Sequence, residues 1–119
     1  MTRATNAVGA YGERVATRAL ITAGLLILAR NWSCAEGEID IIALDGDTIV
    51  FCEVKTRRGL DYGVPAEAVN PAKVRRLRRL AARWLAEHPS VRGEVRFDVL
   101  SVVVPRRGGP TVEHLRAAF

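Results

Sequence analysis

The apolar positions in the first quarter of the chain predict a helix followed by a strand. Between residues 7 and 23, small and apolar side chains such as Val8 and Val15 recur at helical intervals, which places them along one stripe. Gly24 is a typical helix terminator. Residues 25–30, which are apolar as far as Ala29, are predicted to be a short buried strand, so this part of the chain is helix and then strand.

The middle of the chain predicts a β-hairpin. Two β-prone runs, residues 38–44 and 48–55, are separated by Asp45-Gly46-Asp47. An Asp-Gly pair between apolar runs is a strong signal for a tight turn. The neighbouring apolar pairs Ile41-Ile42 and Val50-Phe51 leave little polar alternation, which is typical of strands that are buried on both faces.

The last half of the chain predicts a second helix and two more strands. After a loop over residues 57–69, Asn70 is an N-cap residue and Pro71 suits the first helical position, and the helix should end before Pro89. The remaining predicted strands cover residues 94–104 and 111–115. The predicted order is αβββαβ(β), which indicates an α/β fold with a mixed central sheet flanked by helices.

Length, composition and charge indicate one globular domain with an anionic partner. The 119 residues, of which 49% are hydrophobic and 26% are charged, suit a single compact domain over residues 1–119. The formal net charge of +5 favours nucleic acid as the partner, with an anionic membrane second and a merely soluble surface as the plain alternative.

The cysteines and the shortness of the apolar run over residues 20–29 predict a cytoplasmic protein. Cys34 and Cys52 lack metal-ligand spacing, and one disulfide would be a thin framework for a secreted domain, so both are expected to be reduced thiols. The apolar run over residues 20–29 is too short to span a bilayer. Glu13 and the polar residues before that run argue against an export signal.

Two acids and a lysine interrupt the predicted hairpin strands. Asp40, Glu53 and Lys55 lie in runs where packing alone would favour Val or Ile. Of the 18 basic residues 16 are Arg, so the amine at position 55 stands out; an amine can orient a water or stabilise a point charge. Because side chains alternate along a strand, Glu53 and Lys55 share a face. A two-residue turn, either Asp45-Gly46 or Gly46-Asp47, would place Asp40 on that face, and with Gly46-Asp47 Asp40 would lie directly opposite Glu53. A three-residue turn without a bulge would break this geometry.

The paired acids predict a metal site. Carboxylates opposed across two strands repel each other unless a cation lies between them, and Mg²⁺ is the usual hard cation where phosphate is the substrate. Glu13 lies at the edge of the apolar stripe of the first helix, near Leu20, and could approach the same sheet face. The plain alternative is a solvated sheet face on which Glu53 and Lys55 form a surface ion pair of little energetic weight.

The second predicted helix is strongly basic. Residues 73–83 contain no acid, and at about 100° per residue most of the cations lie opposite Val74, Leu77 and Trp84. The pattern favours a surface that binds phosphates, with a solvated outer face as the alternative. The residues predicted to bind nucleic acid are Lys73, Arg75, Arg76, Arg79 and Arg83 on this helix, together with Arg57 and Arg58 directly after the strand lysine.

Two further sets of polar residues are expected to be structural. Arg96 and Asp98 alternate to one face of the predicted strand over residues 94–104, which favours an ion pair over catalysis. His88 and His114 have no partner at helical spacing and are predicted to be non-catalytic.

In combination these residues resemble the small bacterial YraN-like proteins, which look like the restriction-endonuclease-like PD-(D/E)xK superfamily and are similar in layout to archaeal Holliday-junction resolvases. The matching stretches span nearly the whole chain. They are Gly12-Glu13, Arg30-Asn31-Trp32, Gly37-Glu38-Ile39-Asp40, Glu53-Val54-Lys55-Thr56-Arg57, Lys73, Arg96-Phe97-Asp98 and Ala118-Phe119. Ile39 stands where the superfamily motif has proline, which removes no ligand.

The resemblance implies a restriction-endonuclease-like fold and a nuclease site. It implies that Asp40 and Glu53 bind the catalytic Mg²⁺, for which Mn²⁺ can substitute, that Lys55 is the superfamily lysine, and that Glu13 is the helical glutamate near the metal. The expected activity is hydrolysis of phosphodiester bonds in DNA, including branched or structured DNA, and a homodimer would suit symmetric cutting of two strands. The alternatives are a catalytically silent nucleic-acid-binding protein of the same fold and an interaction protein whose basic face meets an acidic partner.

Overall fold

A computed structural model describes the protein over residues 3–59 and 70–119, with side chains from residue 7 onward in the first helix. Over these residues it contains two helices and five strands. They are α1 (Arg3–Thr22), β1 (Leu26–Cys34), β2 (Gly37–Asp45), β3 (Thr48–Arg58), α2 (Pro71–Glu87), β4 (Val95–Val104) and β5 (Thr111–Leu115). The order is the αβββαβ(β) arrangement that the sequence predicts.

The strands form one mixed sheet in the order β1-β2-β3-β4-β5. Only the central β3–β4 pair is parallel among the neighbouring strands of the described sheet, and the other pairs are antiparallel. Parallel neighbours need a crossover connection, and α2 lies in the segment that joins β3 to β4. The prediction of an α/β fold with a mixed sheet and flanking helices is confirmed, and the arrangement is compatible with a restriction-endonuclease-like fold.

Each face of the sheet is buried against one helix. The core on the α1 side contains Ala16, Leu20, Leu25, Ile41, Ala43, Val50, Cys52, Leu100 and Val102. The core on the α2 side contains Ile39, Ile42, Ile49, Phe51, Leu77, Leu80, Ala81, Trp84 and Phe97. Apolar side chains on both faces explain why the central strands show little polar alternation. A polar group within these strands therefore needs a partner.

The turn and cap signals of the sequence are confirmed. Asp45 pairs with Thr48, so the hairpin loop is the two-residue Gly46-Asp47 turn. At the start of α2 the side chain of Asn70 accepts hydrogen bonds from the amides of Ala72 at 2.8 Å and Lys73 at 3.4 Å. These bonds satisfy two of the amides that the first turn of a helix leaves without partners.

Element boundaries differ from the predictions where polar residues continue a strand. β1 runs to Cys34 because its backbone pairing with β2 continues as far as the Cys34–Gly37 pair, although its apolar run stops at residue 29. β3 continues to Arg58 alongside β4, so the first two residues of the predicted 57–69 loop are strand. Residues 60–69 of that loop lie outside the described residues.

Two simpler predictions can be compared with the described residues. Cys34 and Cys52 are both free thiols. Across the described part of the chain, the helices are too short or too polar to cross a membrane.

Candidate functional site

The site begins where β2 and β3 stop pairing through their backbones. The recorded pairs run from Asp45–Thr48 to Ile41–Cys52. Beyond that pair, the amide of Val54 donates a hydrogen bond to Oδ2 of Asp40 at 2.8 Å. A carboxylate therefore accepts from a strand amide and is held between the two strands.

β2 changes face at Asp40. Ile39 packs in the α2-side core, whereas Ile41 packs in the α1-side core, although residues two apart on a regular strand share a face. Nearby on β1, Asn31 has a left-handed backbone with φ 52°. The loop is one of the two predicted two-residue turns, but the regular β2–β3 pairing ends at Ile41–Cys52. The pairing that would place Asp40 directly opposite Glu53 is therefore absent from the described strands.

Glu13 reaches the site because α1 packs very closely on β3. A Cβ atom at position 12 would overlap the side chain of Thr56, so only glycine permits this approach. Gly12 is buried and Glu13 is partly buried beside it. The predicted approach of the helical glutamate to the sheet is therefore explained by the residue that precedes it.

Three carboxylates meet at this point. Single oxygen atoms of Glu13, Glu38 and Asp40 all lie within 4.8 Å of one another. Glu38 was not predicted as a site residue, although it lies two positions before Asp40 in the Gly37-Glu38-Ile39-Asp40 stretch that carries the family resemblance. Its position in that stretch is the signal that could have identified it.

Glu53 is the fourth acid near this cluster, and its charge acts on Asp40. Burial, together with the neighbouring charge of Glu53, raises the pKa of Asp40 to about 8, against the opposing effect of the Val54 amide and with a further contribution from Glu13. Burial and the charge of Glu38 likewise raise the pKa of Glu13 above its ordinary value. Burial and the neighbouring negative charges therefore disfavour the ionised forms of Asp40 and Glu13.

The cluster lies in a cleft of about 1090 Å³ that is rimmed by basic residues. Both lysines of the chain, Lys55 and Lys73, line it, and Nζ of Lys73 lies 3.4 Å from Oε2 of Glu53. The basic residues that line the cleft are Lys55, Arg57, Arg58, Lys73 and Arg76. The cleft thus brings together the four predicted catalytic residues, Glu13, Asp40, Glu53 and Lys55, with four of the seven residues predicted to bind nucleic acid.

The remaining basic residues of α2 lie elsewhere. Arg79 and Arg83 are 3.9 and 4.0 Å from Glu36, and Nε of Arg83 is also 3.2 Å from Glu87. Arg75 is exposed on the same helix and does not line the cleft. The basic residues of α2 therefore do not form one uniform surface. Arg79 and Arg83 lie near Glu36 or Glu87, which are both outside the acid-free segment 73–83.

A second buried acid, Asp98, lies farther along the sheet in a different environment. It is fully buried and is bound by Nε and Nη2 of Arg96, both at 2.9 Å, and by Nε2 of His114 at 2.7 Å. The amide of Ala117 donates a further bond at 3.0 Å. Although burial raises the pKa of Asp98, the bonds from His114 and Arg96 outweigh it and lower the pKa to about 2.

The predicted Arg96–Asp98 pair is confirmed, whereas the isolation of His114 is not. β5 pairs antiparallel with β4 and places His114 opposite Leu100, two residues along β4 from Asp98. The contact is long-range, so spacing within the sequence gave no indication of it. His88 stacks on Trp84 at 4.1 Å between ring centroids, and its Nδ1 lies 2.7 Å from the Trp84 carbonyl oxygen, in keeping with a structural role.

The donor set of the cleft fits a hard divalent cation. Carboxylate oxygens are the ligands that Mg²⁺ and Mn²⁺ prefer, and three of them lie close enough here to share one ion. Burial and the negative charges of Glu53 and Glu13 raise the pKa of Asp40, so its ionised form is disfavoured. A bound cation would offset those negative charges and favour the ionised carboxylates.

Fold and site together define an α/β protein with a cluster of acids and lysines in a cleft beside the central strands of a mixed sheet. The chain belongs to the uncharacterised protein family UPF0102, whose model matches residues 12–102 and so includes every acid of the cleft. This membership confirms the YraN-like resemblance.

The family relationship extends over nearly whole chains. The protein is 57% identical over 117 residues to the UPF0102 protein of Frankia casuarinae, which covers 98% of this chain and 99% of the relative. It is 58% identical over 114 residues to the UPF0102 protein of Beutenbergia cavernae, with 96% and 97% covered. It is similarly 57% identical over 114 residues to that of Kineococcus radiotolerans, with 95% and 93% covered.

Proposed function

We propose that this protein is a metal-dependent nuclease of the PD-(D/E)xK type that hydrolyses phosphodiester bonds in DNA, including branched or structured DNA. The observation that carries the proposal is the cleft in which the oxygens of Glu13, Glu38 and Asp40 converge beside Glu53 and Lys55. Acids that could hold a cation, a lysine and a basic rim in one open cleft are the parts that phosphodiester hydrolysis needs.

The proposed cofactor is Mg²⁺, with Mn²⁺ as a substitute. Asp40 and Glu53 would hold it, and Glu13 would assist from α1. Glu38 shares the cluster with Glu13 and Asp40, so it is a further candidate ligand. When bound, the ion would supply Lewis acidity towards a phosphoryl oxygen and would lower the pKa of a water.

The basic residues of the cleft have separate proposed tasks. Lys55 follows Glu53 by two positions on β3 and lines the same cleft, so its ammonium would orient the attacking water and stabilise the negative charge that develops on the phosphate. Arg57 and Arg58 continue the strand at the rim and would bind the neighbouring phosphates.

A cleavage panel tests this proposal. Purified protein is incubated with duplex, nicked, flapped and four-way DNA in the presence of Mg²⁺ or Mn²⁺, and products are resolved on denaturing gels. Asp40→Ala, Glu53→Ala and Lys55→Ala should each reduce cleavage by at least about a hundredfold. Asp47→Ala is the matched control, because it removes an acid from the exposed hairpin turn and should leave cleavage unchanged.

The outcomes separate the nuclease from its two alternatives. DNA binding without cleavage on any substrate would indicate the catalytically silent binding protein. Failure to bind DNA at physiological salt would favour an interaction protein with an acidic partner. Cleavage that survives all three cleft substitutions would show that a contaminating nuclease, and not this cleft, cuts the DNA.

A further inference from the structure

The cleft continues past Arg58 along the outside of α1. A small cavity of about 160 Å³, lined by Val8, Tyr11, Arg58 and Val104 among others, shares Val8 and Arg58 with the cleft. It shares Tyr11 in turn with a groove of about 540 Å³ that lies between α1 and the β5 edge of the sheet. This α1–β5 groove is lined by Tyr11, Arg14, Val15, Arg18, Ala19, Thr22, Pro110 and Val112.

The groove carries two arginines that form no ion pair with any acid in the described part of the chain. Arg14 and Arg18 are exposed and lie one helical turn apart on α1. Within residues 3–59 and 70–119, neither of them has a carboxylate at ion-pair distance, and Arg58 at the junction has none either. Arg79 and Arg83 on α2, by contrast, lie near Glu36 or Glu87.

An aromatic ring lies where the groove meets the cavity. The side chain of Tyr11 is 36% exposed, and the guanidinium of Arg14 lies 5.8 Å from its ring centroid. An exposed ring beside an arginine provides a surface on which a nucleic-acid base can stack, whereas neighbouring cations bind the phosphates. Such stacking requires an unpaired base, because the bases of a duplex are already stacked on each other.

We infer that the α1–β5 groove binds a single strand of nucleic acid that leaves the carboxylate cleft past Arg58, with Tyr11 stacking on a base and Arg14 and Arg18 binding its phosphates. The inference rests on the proposed nuclease function only in taking the cleft as the place where the strand is cut. From Tyr11 to Arg18 the helix advances about 10 Å. A strand within B-form DNA rises about 3.4 Å per nucleotide and an unstacked strand is longer, so this is room for at most about three nucleotides.

Two charge-matched double variants test the path. Arg14→Gln/Arg18→Gln removes two cations from the groove, and Arg79→Gln/Arg83→Gln removes two cations from the outer face of α2. Binding of a fluorescein-labelled single-stranded oligonucleotide is measured by anisotropy in EDTA, so that nothing is cut, at several salt concentrations. The groove variant should bind roughly tenfold more weakly, with a salt dependence reduced by one to two phosphate contacts. The α2 variant tests the opposing prediction from the sequence, that Arg79 and Arg83 bind phosphates. It should stay within about twofold of the wild type, because both arginines lie near Glu36 or Glu87.

Tyr11→Leu tests the single-strand assignment separately from charge. It should weaken single-strand binding roughly fivefold and leave binding of blunt duplex DNA unchanged, because a lost stacking partner affects only unpaired bases. Circular dichroism and thermal melting confirm that each variant is folded. The inference is overturned if the two double variants lose affinity equally, if the α2 variant loses more, or if Tyr11→Leu weakens duplex binding as much.

The binding assay is independent of cleavage, so the two proposals can fail separately. If the wild-type protein cuts DNA but both double variants bind the single strand alike, the inference about the groove is wrong and the proposed nuclease function stands. If the protein never cuts DNA but binds a single strand through Arg14 and Arg18, the proposed nuclease function is wrong and the inference about the groove stands.

Discussion

Two acidic residues in the same sheet, Asp98 and Asp40, differ in how their negative charge is balanced. Asp98 is fully buried, but Arg96, His114 and the amide of Ala117 all donate to it, and its pKa falls to about 2. The pKa of Asp40 rises to about 8 because of its burial and the nearby Glu53 charge, and the Val54 amide offsets only part of this. Cationic and amide donors hold the charge of Asp98, whereas burial and a neighbouring negative charge are the largest influences on Asp40.

The difference in how the two charges are balanced distinguishes a structural acid from a candidate functional acid within one sheet. A buried charge that the protein itself satisfies contributes to a defined fold and has no capacity left for a ligand. A cluster of carboxylates that raise one another's pKa is costly to the fold, and such clusters are typical of functional sites. The comparison therefore favours the Asp40 cleft as the binding site for a cation and assigns Asp98 to the framework.

Substitution at Asp98 should have the largest effect on stability. Asp98→Ala removes the buried acceptor of Arg96, His114 and the Ala117 amide, and it leaves Arg96 only the partly exposed Asp45 at 2.9 Å. The free energy of unfolding should fall by about 3 kcal/mol, the lower end for a broken buried ion pair. Asp40→Asn is the matched comparison. In EDTA at pH 8 it should leave the protein as stable as the wild type or more stable, because it removes repulsion. Urea denaturation measures both variants, and an equal loss in the two would contradict the comparison.

The two acids should give opposite dependences of stability on pH. The pKa of Asp40 is raised from 3.8 to about 8 in the folded protein, so the folded state binds more protons than the unfolded state between these values. Stability must then fall as pH rises through that window, by at most about 1.4 kcal/mol per pH unit for one proton. The lowered pKa of Asp98 acts in the other direction, since its contribution is present above about pH 4 and is lost as pH falls towards 2.

Thermal or urea unfolding between pH 5 and pH 8 in EDTA measures the Asp40 effect, and Asp40→Asn should flatten the curve. Added Mn²⁺ should restore stability at pH 8 more than at pH 5, because cation binding competes with protonation of the same oxygens. If the stability of the wild type changes with pH as little as that of Asp40→Asn, the ionised acids of the cleft do not destabilise the folded protein.

The sequence predicts the framework of this comparison better than its electrostatics. Two β-prone runs and the turn residues between them identify the hairpin, and the Asp45–Thr48 pair shows which two-residue turn joins its strands. The positions of Asp40 and Glu53 near each other follow from that hairpin. The change of face between Ile39 and Ile41 could not be predicted, because it depends on tertiary packing against two different helices and no local residue signals it.

Long-range partners are the part that the sequence does not supply. The bond from His114 to Asp98 joins residues 16 apart through pairing of β4 with β5. Likewise Glu36 reaches Arg79 and Arg83 only because α2 packs across the sheet. Such contacts depend on how elements assemble, whereas periodicity and capping report only on the elements themselves.

Removal of the positive charge of Lys73 from the cleft should have a smaller effect, on the affinity for a divalent ion. Nζ of Lys73 lies 3.4 Å from Oε2 of Glu53, so a divalent ion that binds Glu53 must share or displace this contact and experiences repulsion from the ammonium. Lys73→Met keeps a long side chain without the charge. It should tighten Mn²⁺ binding roughly fivefold, since a unit charge about 4 Å away is worth at least about 1 kcal/mol even in water.

Isothermal titration of Mn²⁺ at pH 8 measures this change, with Arg75→Met as the control because Arg75 is exposed on the same helix outside the cleft. Arg75→Met should leave the Mn²⁺ affinity unchanged. Weaker Mn²⁺ binding by Lys73→Met would mean that Lys73 holds Glu53 in the geometry that the ion needs. The cleft would then resemble the surroundings of Asp98, where cationic side chains bind the carboxylate. Tighter Mn²⁺ binding would show that the Lys73 ammonium competes with the ion for Glu53. That result is expected if the protein alone does not fully neutralise the negative charge of the acidic cluster.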